Sequence, residues 1–154
     1  MSIIELVKIK RLEETNLTEF VELVKLFEYV FEMTDFSIPD SKHLQSLLNR
    51  TNFDVFVALH DNKVVGGLTT YVLDQYYSEK PLAYIYDLAV DKNLQRNGIG
   101  KKLIAEVNKF YKEKGFEEVF VQADKIDDYA IDFYRKTNPT REEQVVHFYY
   151  TLNK

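Results

Sequence analysis

The stretch Leu82–Lys114 reads LAYIYDLAVDKNLQRNGIGKKLIAEVNKFYKEK and joins an apolar run, a polar turn and an amphipathic segment. The apolar run, Leu82–Val90, predicts a strand buried on both faces, and the pattern from Lys101 predicts a long helix. Gly98 and Gly100 lack the Cβ atoms that would hold an anion away from the unpaired amides of the first helical turn. The order of strand, turn and helix therefore predicts a binding site for a pyrophosphate group.

The glycine pair alone is a weak motif, because many strand-to-helix turns use glycine for close packing. The stretch lacks the Lys-Ser/Thr pair of a P-loop and the third glycine of a dinucleotide-binding fold. Arg96, Lys101 and Lys102 place positive charge around the turn, and this charge favours the phosphate interpretation.

The composition indicates one packed globular domain that spans residues 1–154. The chain is 45% hydrophobic and 14% aromatic, which argues against disorder. It contains no cysteine, so disulfides, thiolate metal sites and cysteine nucleophiles are excluded. The three histidines are scattered without metal-ligand spacing, and we expect no metal site.

The formal net charge of −5 and the hydropathy pattern exclude several classes of partner. Nucleic-acid binders usually carry a basic face, and nothing in the sequence resembles one. No apolar run approaches the roughly 18 residues of a membrane helix, and the first residues lack a secretory signal pattern. We therefore expect a soluble cytoplasmic protein. Mild acidity is an ordinary solubility feature, and it is also the sign expected of a protein that binds polycations.

Periodicity along the whole chain predicts a mixed α/β order, β α α β β β α β α β. The predicted helices cover about residues 16–33, 41–48, 101–114 and 129–135, with Ser41 and Asp128 as N-cap candidates and Lys114-Gly115 as a C-cap. Gly66-Gly67 predicts a bulge or a close backbone approach. The predicted strands are Ile3–Lys10, Asn52–His60, Lys63–Leu73, Leu82–Val90, Glu117–Ala123 and Glu143–Leu152. Asp61-Asn62 is the predicted turn of a hairpin between the second and third of these strands.

Asp87 is the single charged residue in Leu82–Val90. An unpaired buried carboxylate is costly, so such a residue is either paired or placed at a cavity. One interpretation is a structural aspartate bonded to backbone amides. The other is a functional carboxylate that takes a proton from a substrate ammonium group or orients it.

Two strings carry a resemblance to a known family. Asp87-Leu88-Ala89-Val90 is followed, after four residues, by Gln95-Arg96-Asn97-Gly98-Ile99-Gly100-Lys101, and this arrangement resembles the acetyl-CoA signature of the GNAT acetyltransferases. Further strings are similar to those of the type I aminoglycoside 3-N-acetyltransferases, and the similarity runs from about residue 20 to residue 150. These further strings are VVGGLTTYVL (64–73), YIYDLAV (84–90), FVQADKIDD (120–128) and VHF (146–148).

The resemblance implies an α/β GNAT fold, in which a mixed central sheet of six to seven strands is flanked by about four helices and splayed between strands 4 and 5. It implies acetyl-CoA as co-substrate, with the pantetheine arm against the fourth strand and the pyrophosphate on the turn. Transfer is then direct attack of an amine on the thioester, without an acyl-enzyme. The implied cofactor-binding residues are Leu88, Ala89, Val90, Gln95, Arg96, Asn97, Gly98, Ile99, Gly100 and Lys101.

The resemblance also implies roles for residues outside the turn. Asp87 becomes the proton acceptor, and Tyr134 matches a tyrosine that protonates the leaving thiolate. An acidic wall for a polycationic acceptor is implied at Asp124, Asp127, Asp128, Asp35 and Asp40. One departure concerns the end of the helix that bears Tyr134: the antibiotic enzymes usually have Leu-Gly after it, and this chain has Thr137-Asn138-Pro139. Proline disfavours a left-handed residue before it, which predicts a reshaped helix end.

Three functions remain open on the sequence. The first is acetylation of an aminoglycoside, at the 3-amino group, giving antibiotic resistance. The second is acetylation of another cationic amine, such as a polyamine or a peptide amine. The third is a non-catalytic acyl-CoA-binding module, which retention of Asp87 and Tyr134 disfavours. Members of the family are often dimers, and we expect a homodimer.

Overall fold

The computed structural model describes residues 2–153, whose contacts form two compact units, the first ending at Gln122 and the second beginning at Ala123. A short 3-10 helix, Lys92–Leu94, precedes the fourth α-helix. In chain order the elements are α1 Ile3–Leu6, β1 Lys8–Arg11, α2 Leu17–Val30, α3 Ser41–Leu48, β2 Phe53–His60, β3 Lys63–Leu73, β4 Leu82–Val90, α4 Ile99–Glu113, β5 Glu118–Val121 and α5 Asp128–Arg135.

Within the described residues, the first unit holds one sheet of five strands in the order β1-β2-β3-β4-β5. Neighbours from β1 to β4 are antiparallel, and β5 runs parallel to β4. The β2–β3 hairpin confirms the predicted strand pair. Its two-residue turn places Asp61 and Asn62 at φ 52° and 62°, and tight hairpin turns need this left-handed conformation.

The α/β class is confirmed, but the element count differs from the prediction. Residues 2–153 form five strands and five α-helices, where six to seven strands and about four helices are expected. The predicted strand Glu143–Leu152 is wrong, because residues 143–152 adopt neither helix nor strand. A run rich in valine and aromatic residues allows a strand, but a strand also needs a neighbour to hydrogen-bond with, and the composition does not specify that neighbour.

The prediction of one strand over Ile3–Lys10 is also wrong. Ile3–Leu6 forms a single helical turn, and the strand begins at Lys8. A stretch of four residues is too short for periodicity to distinguish helix from strand. Pairing across the sheet sets the boundary, since Lys8 lies opposite Leu59 of β2.

Helix α2 packs closely on one face of the sheet at Gly66-Gly67. A Cβ on Gly67 would lie 2.6 Å from Leu23 Cδ1 and 2.7 Å from the Phe56 carbonyl oxygen. Gly66 faces the opposite side, where α4 packs. The β2–β3 ladder shifts register beside this pair. The bulge and the close approach predicted for these glycines are both confirmed.

Helix α4 is attached to the other face of the sheet by a buried polar network. The Tyr111 hydroxyl donates to the Asp54 carboxylate at 2.6 Å and pairs with the Thr70 hydroxyl at 2.5 Å. The Arg11 guanidinium lies 2.9 Å from the same carboxylate. Because the Tyr111 hydroxyl hydrogen is donated to the carboxylate, the Thr70 hydroxyl is the donor to the Tyr111 oxygen. Burial, followed by the bond to Asp54, raises the pKa of Tyr111, so the phenol stays protonated.

The helix ends mostly follow local sequence signals. At the end of α4, Gly115 has φ 83°. Its amide and that of Phe116 bond to the carbonyls of Lys112 and Tyr111 at 3.1 and 3.0 Å, which is a Schellman motif and confirms the predicted C-cap. The predicted Ser41 cap is wrong by one residue. Asp40 caps α3 and accepts the His43 amide at 2.9 Å.

The second unit contains α5 and the carboxyl-terminal segment. Asp127 caps α5 by accepting the Ala130 amide at 3.0 Å, so the predicted Asp128 cap is wrong by one residue. Asn138 has φ 61° although a proline follows it, and the left-handed helix end that the sequence disfavours is therefore present. Arg135 then pairs with Glu142 at 2.8 Å.

None of the helices in residues 2–153 is both long and apolar enough to cross a membrane. The same part of the chain holds no group of three or more histidine, aspartate or glutamate side chains placed to bind a metal ion.

Candidate functional site

The turn between β4 and α4 owes its shape to two residues in the left-handed conformation. Arg96 has φ 65° and Gly98 has φ 84°, and glycine adopts such a φ at little cost. The Gln95 side-chain amide donates to the Val90 carbonyl at 3.1 Å. The Asn97 side-chain amide donates to a carbonyl within the turn at 2.9 Å. These bonds tie the turn to the end of β4 and to itself.

The turn leads into the amino terminus of α4. The helix begins at Ile99, two residues before its predicted start, and Gly98 is its N-cap. Lys102 is the first residue whose amide bonds to an acceptor within the helix, the Gly98 carbonyl at 3.0 Å. The amides before it carry the positive end of the helix dipole, and Gly98 has no side chain to cover them. With Lys101 exposed beside them, these donors suit a phosphate group.

The Lys102 side chain lines an open depression beside the turn and is anchored by the amino-terminal segment. Its Nζ donates to the Val7 carbonyl at 2.6 Å and to the Ile4 carbonyl at 3.5 Å. The side chain thus holds the amino-terminal segment against α4. As a result, Ile4 and Asn97 both line the open depression next to the turn.

The ladder between β4 and β5 covers only the first part of β4. Its last pair is Ile85 with Val121, and no described residue of β5 pairs with β4 beyond it. The two strands therefore separate where the splay is expected. Leu88, Ala89 and Val90 follow this point, and their backbone groups on that side suit an extended ligand that carries amides.

A bulge at Tyr86 determines the direction of Asp87. Thr70 pairs with Ile85 and Thr69 pairs with Asp87, which leaves Tyr86 as an extra residue in β4. Residues paired across a ladder project to the same face, so Asp87 shares the face of Thr69. Strict alternation without the bulge would place it on the face of Ile85, towards α4.

Asp87 is half-buried, and burial raises the pKa of its carboxyl group. Tyr71 lies on the same face, and its pKa is raised by burial and then by the neighbouring Tyr86 and Asp87. A carboxylate with a raised pKa holds a proton more readily, which suits proton exchange with an ammonium group. The prediction that β4 is buried on both faces is wrong, because Tyr86 is 58% exposed.

The remaining predicted residues of the first unit lie in the loop between α2 and α3. Asp35 is exposed there, and Asp40 is the cap of α3 described above. Within the described residues neither side chain forms a hydrogen bond or ion pair with β4, and their role in a substrate wall stays a prediction.

The second unit holds the other predicted residues. Asp124, Asp127 and Asp128 are exposed at the start of α5. Tyr134 is half-buried on α5, with its ring edge-on to Phe133 at 5.0 Å between centroids. The roles of these four residues also stay predictions.

Sequence reasoning missed Tyr71 and Tyr86, which lie beside Asp87. Tyr84 and Tyr86 alternate along β4, and this pattern could have predicted two rings on one face. The bulge that brings Asp87 to that face has no equivalent signal in the sequence.

The chain is similar to a known family and to several solved structures. The sequence model of the acetyltransferase (GNAT) family matches residues 17–138. The aminoglycoside acetyltransferase meta-AAC0020, from an uncultured soil metagenomic sample and solved with trehalose and with sisomicin, is 72% identical to this chain. It superposes with a TM-score of 0.97 over 99% of this chain and 100% of its own.

Two further structures are more distant. The aminoglycoside acetyltransferase HMB0005, also from an uncultured soil metagenomic sample, is 30% identical with a TM-score of 0.88, over 96% of this chain and 99% of its own. The aminoglycoside N-acetyltransferase AAC(6')-Iy, in complex with CoA, is 18% identical with a TM-score of 0.76 over 95% of each chain, which shows a shared fold. None of the curated sequences compared with this chain is significantly similar to it.

The family match covers most of the chain, and it includes β4, the turn and α4, the elements that form the candidate anion site. The chain therefore belongs to the GNAT family of acetyltransferases.

Proposed function

We propose that the protein transfers the acetyl group of acetyl-CoA directly to an amino group of an aminoglycoside, the 3-amino group, and so confers antibiotic resistance. The observation that carries the proposal is Asp87, a half-buried carboxylate with a raised pKa. It lies on β4, the strand that leads into the turn with the candidate phosphate site. The 72% identity to an aminoglycoside acetyltransferase solved with sisomicin supports this choice of acceptor.

The donor set of the turn fits acetyl-CoA. The amides at the start of α4 and the exposed Lys101 would hold the pyrophosphate, and the open edge of β4 would pair with the amides of the pantetheine arm. The proposed cofactor-binding residues are Leu88, Ala89, Val90, Gln95, Arg96, Asn97, Gly98, Ile99, Gly100 and Lys101.

The proposed chemistry needs a base and an acid. Asp87 takes a proton from the acceptor ammonium, and the neutral nitrogen attacks the thioester carbonyl carbon. The C–S bond then breaks, and the released CoA thiolate takes a proton from the Tyr134 hydroxyl. The nitrogen loses its extra proton as the amide forms, and this proton restores the Tyr134 phenol. Phenols and thiols are of comparable basicity, so a tyrosine hydroxyl is a suitable donor to a thiolate.

The exposed acidic side chains are proposed to bind the other ammonium groups of the acceptor. A carboxylate offers two oxygens, so the capping bonds of Asp40 and Asp127 still leave acceptor capacity. Opposite charges also speed the encounter with a polycation. The residues in this role are Asp124, Asp127, Asp128, Asp35 and Asp40.

We further propose that the chain is a single cytoplasmic acetyltransferase domain, residues 1–154, that works as a homodimer. The support for a dimer is the segment 143–152, in which Phe148 is 76% and Tyr150 is 86% exposed. Apolar side chains in such a run favour a partner surface.

Light scattering should give twice the chain mass, and Phe148→Asp should give the monomer mass while Tyr76→Asp does not. A monomeric wild type would contradict the dimer.

An acceptor screen tests the function. Thiol release from acetyl-CoA is measured with sisomicin, with spermidine and with an amine-terminated peptide, and the acetylated position is read from the product by NMR. We expect turnover with sisomicin and acetylation at the 3-amino group. Turnover with spermidine or the peptide alone favours the other-amine function, and acetyl-CoA binding without any turnover favours a non-catalytic module.

The base assignment is tested separately with a matched pair of variants. Asp87→Asn should lower kcat about 10²- to 10⁴-fold, because it removes the proton acceptor. Asp61→Asn, at an exposed turn position where asparagine is well tolerated, should leave kcat unchanged. Full activity of Asp87→Asn on a confirmed acceptor would rule out the assignment.

A further inference from the structure

An aromatic row lies across β3, β4 and β5 on the face of the sheet that carries Asp87. It consists of Tyr71, Tyr86, Tyr84 and Phe120. Consecutive ring centroids along the row are 5.6, 5.9 and 4.7 Å apart. The row is continuous with the core on this face, because the Tyr71 ring also contacts the Phe53 ring at 5.1 Å.

Tyr86 differs from the other rings of the row because it is fixed in place and still exposed. Its ring stands edge-on to Tyr71 and to Tyr84, at interplanar angles of 83° and 84°. Edge-to-face contacts of this kind are favourable, and two of them hold the ring in one orientation. Its exposed fraction is nevertheless 58%. The ring therefore offers a preorganised apolar surface outside the core.

The bulge in β4 brings this surface next to the carboxylate. Tyr86 is the extra residue of the bulge, and Asp87 follows it on the same face as Thr69 and Tyr71. The effect of both Tyr86 and Asp87 on the pKa of Tyr71 is consistent with that placement. A π surface and a negative charge thus adjoin on one side of the sheet.

We propose that Tyr86 is a specificity-determining residue of the acceptor site: its ring supports the amine-bearing six-membered ring of the substrate and directs that amine to Asp87. The proposal rests on the proposed acetyltransferase function. A saturated amino-sugar or aminocyclitol ring presents C–H groups to an aromatic face, and an ammonium group is attracted to the negative face of the same ring. Asp87 complements the charge of the amine.

The charge alone would not orient the acceptor, since a carboxylate attracts any of the several ammonium groups of an aminoglycoside. A rigid ring beside the carboxylate restricts which amine can approach it, because a ring that stacks on Tyr86 holds its own substituents at set distances. Tyr86 is therefore expected to affect binding and regiochemistry more than the chemical step.

The test compares Tyr86→Leu with Tyr86→Phe, and uses Tyr76→Leu as control because Tyr76 is 97% exposed. Calorimetry gives the Kd for sisomicin, and steady-state kinetics give KM and kcat. Loss of the ring should raise Kd and KM about 2- to 30-fold and leave kcat within about threefold, as expected for a cation–π contact. Tyr86→Phe should restore wild-type binding to within about twofold, and the control should be unchanged.

The outcomes separate this proposal from the function on which it rests. The proposed role of Tyr86 is overturned if folded Tyr86→Leu has unchanged Kd and KM, or if Tyr86→Phe binds as weakly as Tyr86→Leu. Turnover by the wild type then still upholds the transferase function. If the wild type binds sisomicin without turnover, the transferase function fails and the Kd values still test the role of Tyr86. A wild type that does not bind sisomicin overturns both.

Discussion

Tyr111→Phe removes a single oxygen atom from the buried network that attaches α4 to the sheet. The Tyr111 ring keeps its contacts with Phe56, Phe110 and Phe116, at 4.6–6.2 Å between centroids. The substitution therefore opens no large cavity, and its effect on stability isolates the polar contribution.

The expected cost follows from the lost bonds. The hydroxyl donates to the Asp54 carboxylate at 2.6 Å and accepts from Thr70 at 2.5 Å. A hydrogen bond to a charged group contributes about 1.5–3 kcal/mol, and a buried partner left without its bond adds a desolvation penalty. Phenylalanine costs less free energy to bury than tyrosine, and this difference offsets part of the loss. We expect a net loss of about 2–3 kcal/mol, or a Tm decrease of about 4–12 °C for a chain of this size.

The loss of stability is measured by urea unfolding of the wild type, Tyr111→Phe and the exposed control Tyr76→Phe. An unchanged m-value is the evidence that the variants unfold between comparable folded and unfolded states. Thr70→Val and the double variant complete a cycle, in which the double loss should be smaller than the sum because both side chains share one bond. A loss below about 0.5 kcal/mol for Tyr111→Phe, or strict additivity in the cycle, would refute the cooperative network.

Three further predictions concern β4, β3 and the turn before α4. Because burial raises the pKa of Asp87, its charge destabilises the fold, and Asp87→Asn should raise Tm at neutral pH. The gain should shrink as pH falls through the raised folded pKa and vanish below the unfolded pKa of about 3.9. Melting curves from about pH 3 to 8 check the sign, and equal gains throughout would contradict it. Gly67→Ala should cost about 1–3 kcal/mol in urea unfolding, because the new Cβ meets a backbone oxygen; a neutral result would contradict this close approach. Gly98→Ala should lower the free energy of unfolding by about 1–2 kcal/mol because of the positive φ at this position, and it should raise the KM for acetyl-CoA. An unchanged KM would contradict binding of the cofactor at the turn.

Features that depend on neighbours along the chain were predictable. The Asp61-Asn62 turn, the strand Leu82–Val90 and the cap at Gly115 each involve residues only a few positions apart, and each is present as expected. The candidate phosphate site also belongs to this class, because it needs a strand, a left-handed glycine and a helix start in succession.

Features that depend on a distant partner were not predictable. The segment 143–152 has the valine and aromatic residues typical of a strand, but nothing in its sequence specifies which strand it would join. Lys102 bonds to Val7, 95 positions away, and Tyr111 bonds to Asp54 at a separation of 57 positions. Only a packed fold brings such groups within hydrogen-bonding distance.

The sequence by itself determined the order strand, turn and helix, and it identified Asp87 as the exceptional charge in an apolar strand. Tertiary structure alone decided where that charge points. The bulge at Tyr86 is a mismatch between the lengths of β3 and β4 across their ladder, and it turns Asp87 to the face of Tyr71. A register between two strands is a property of the pair, so no pattern within Leu82–Val90 could have specified it.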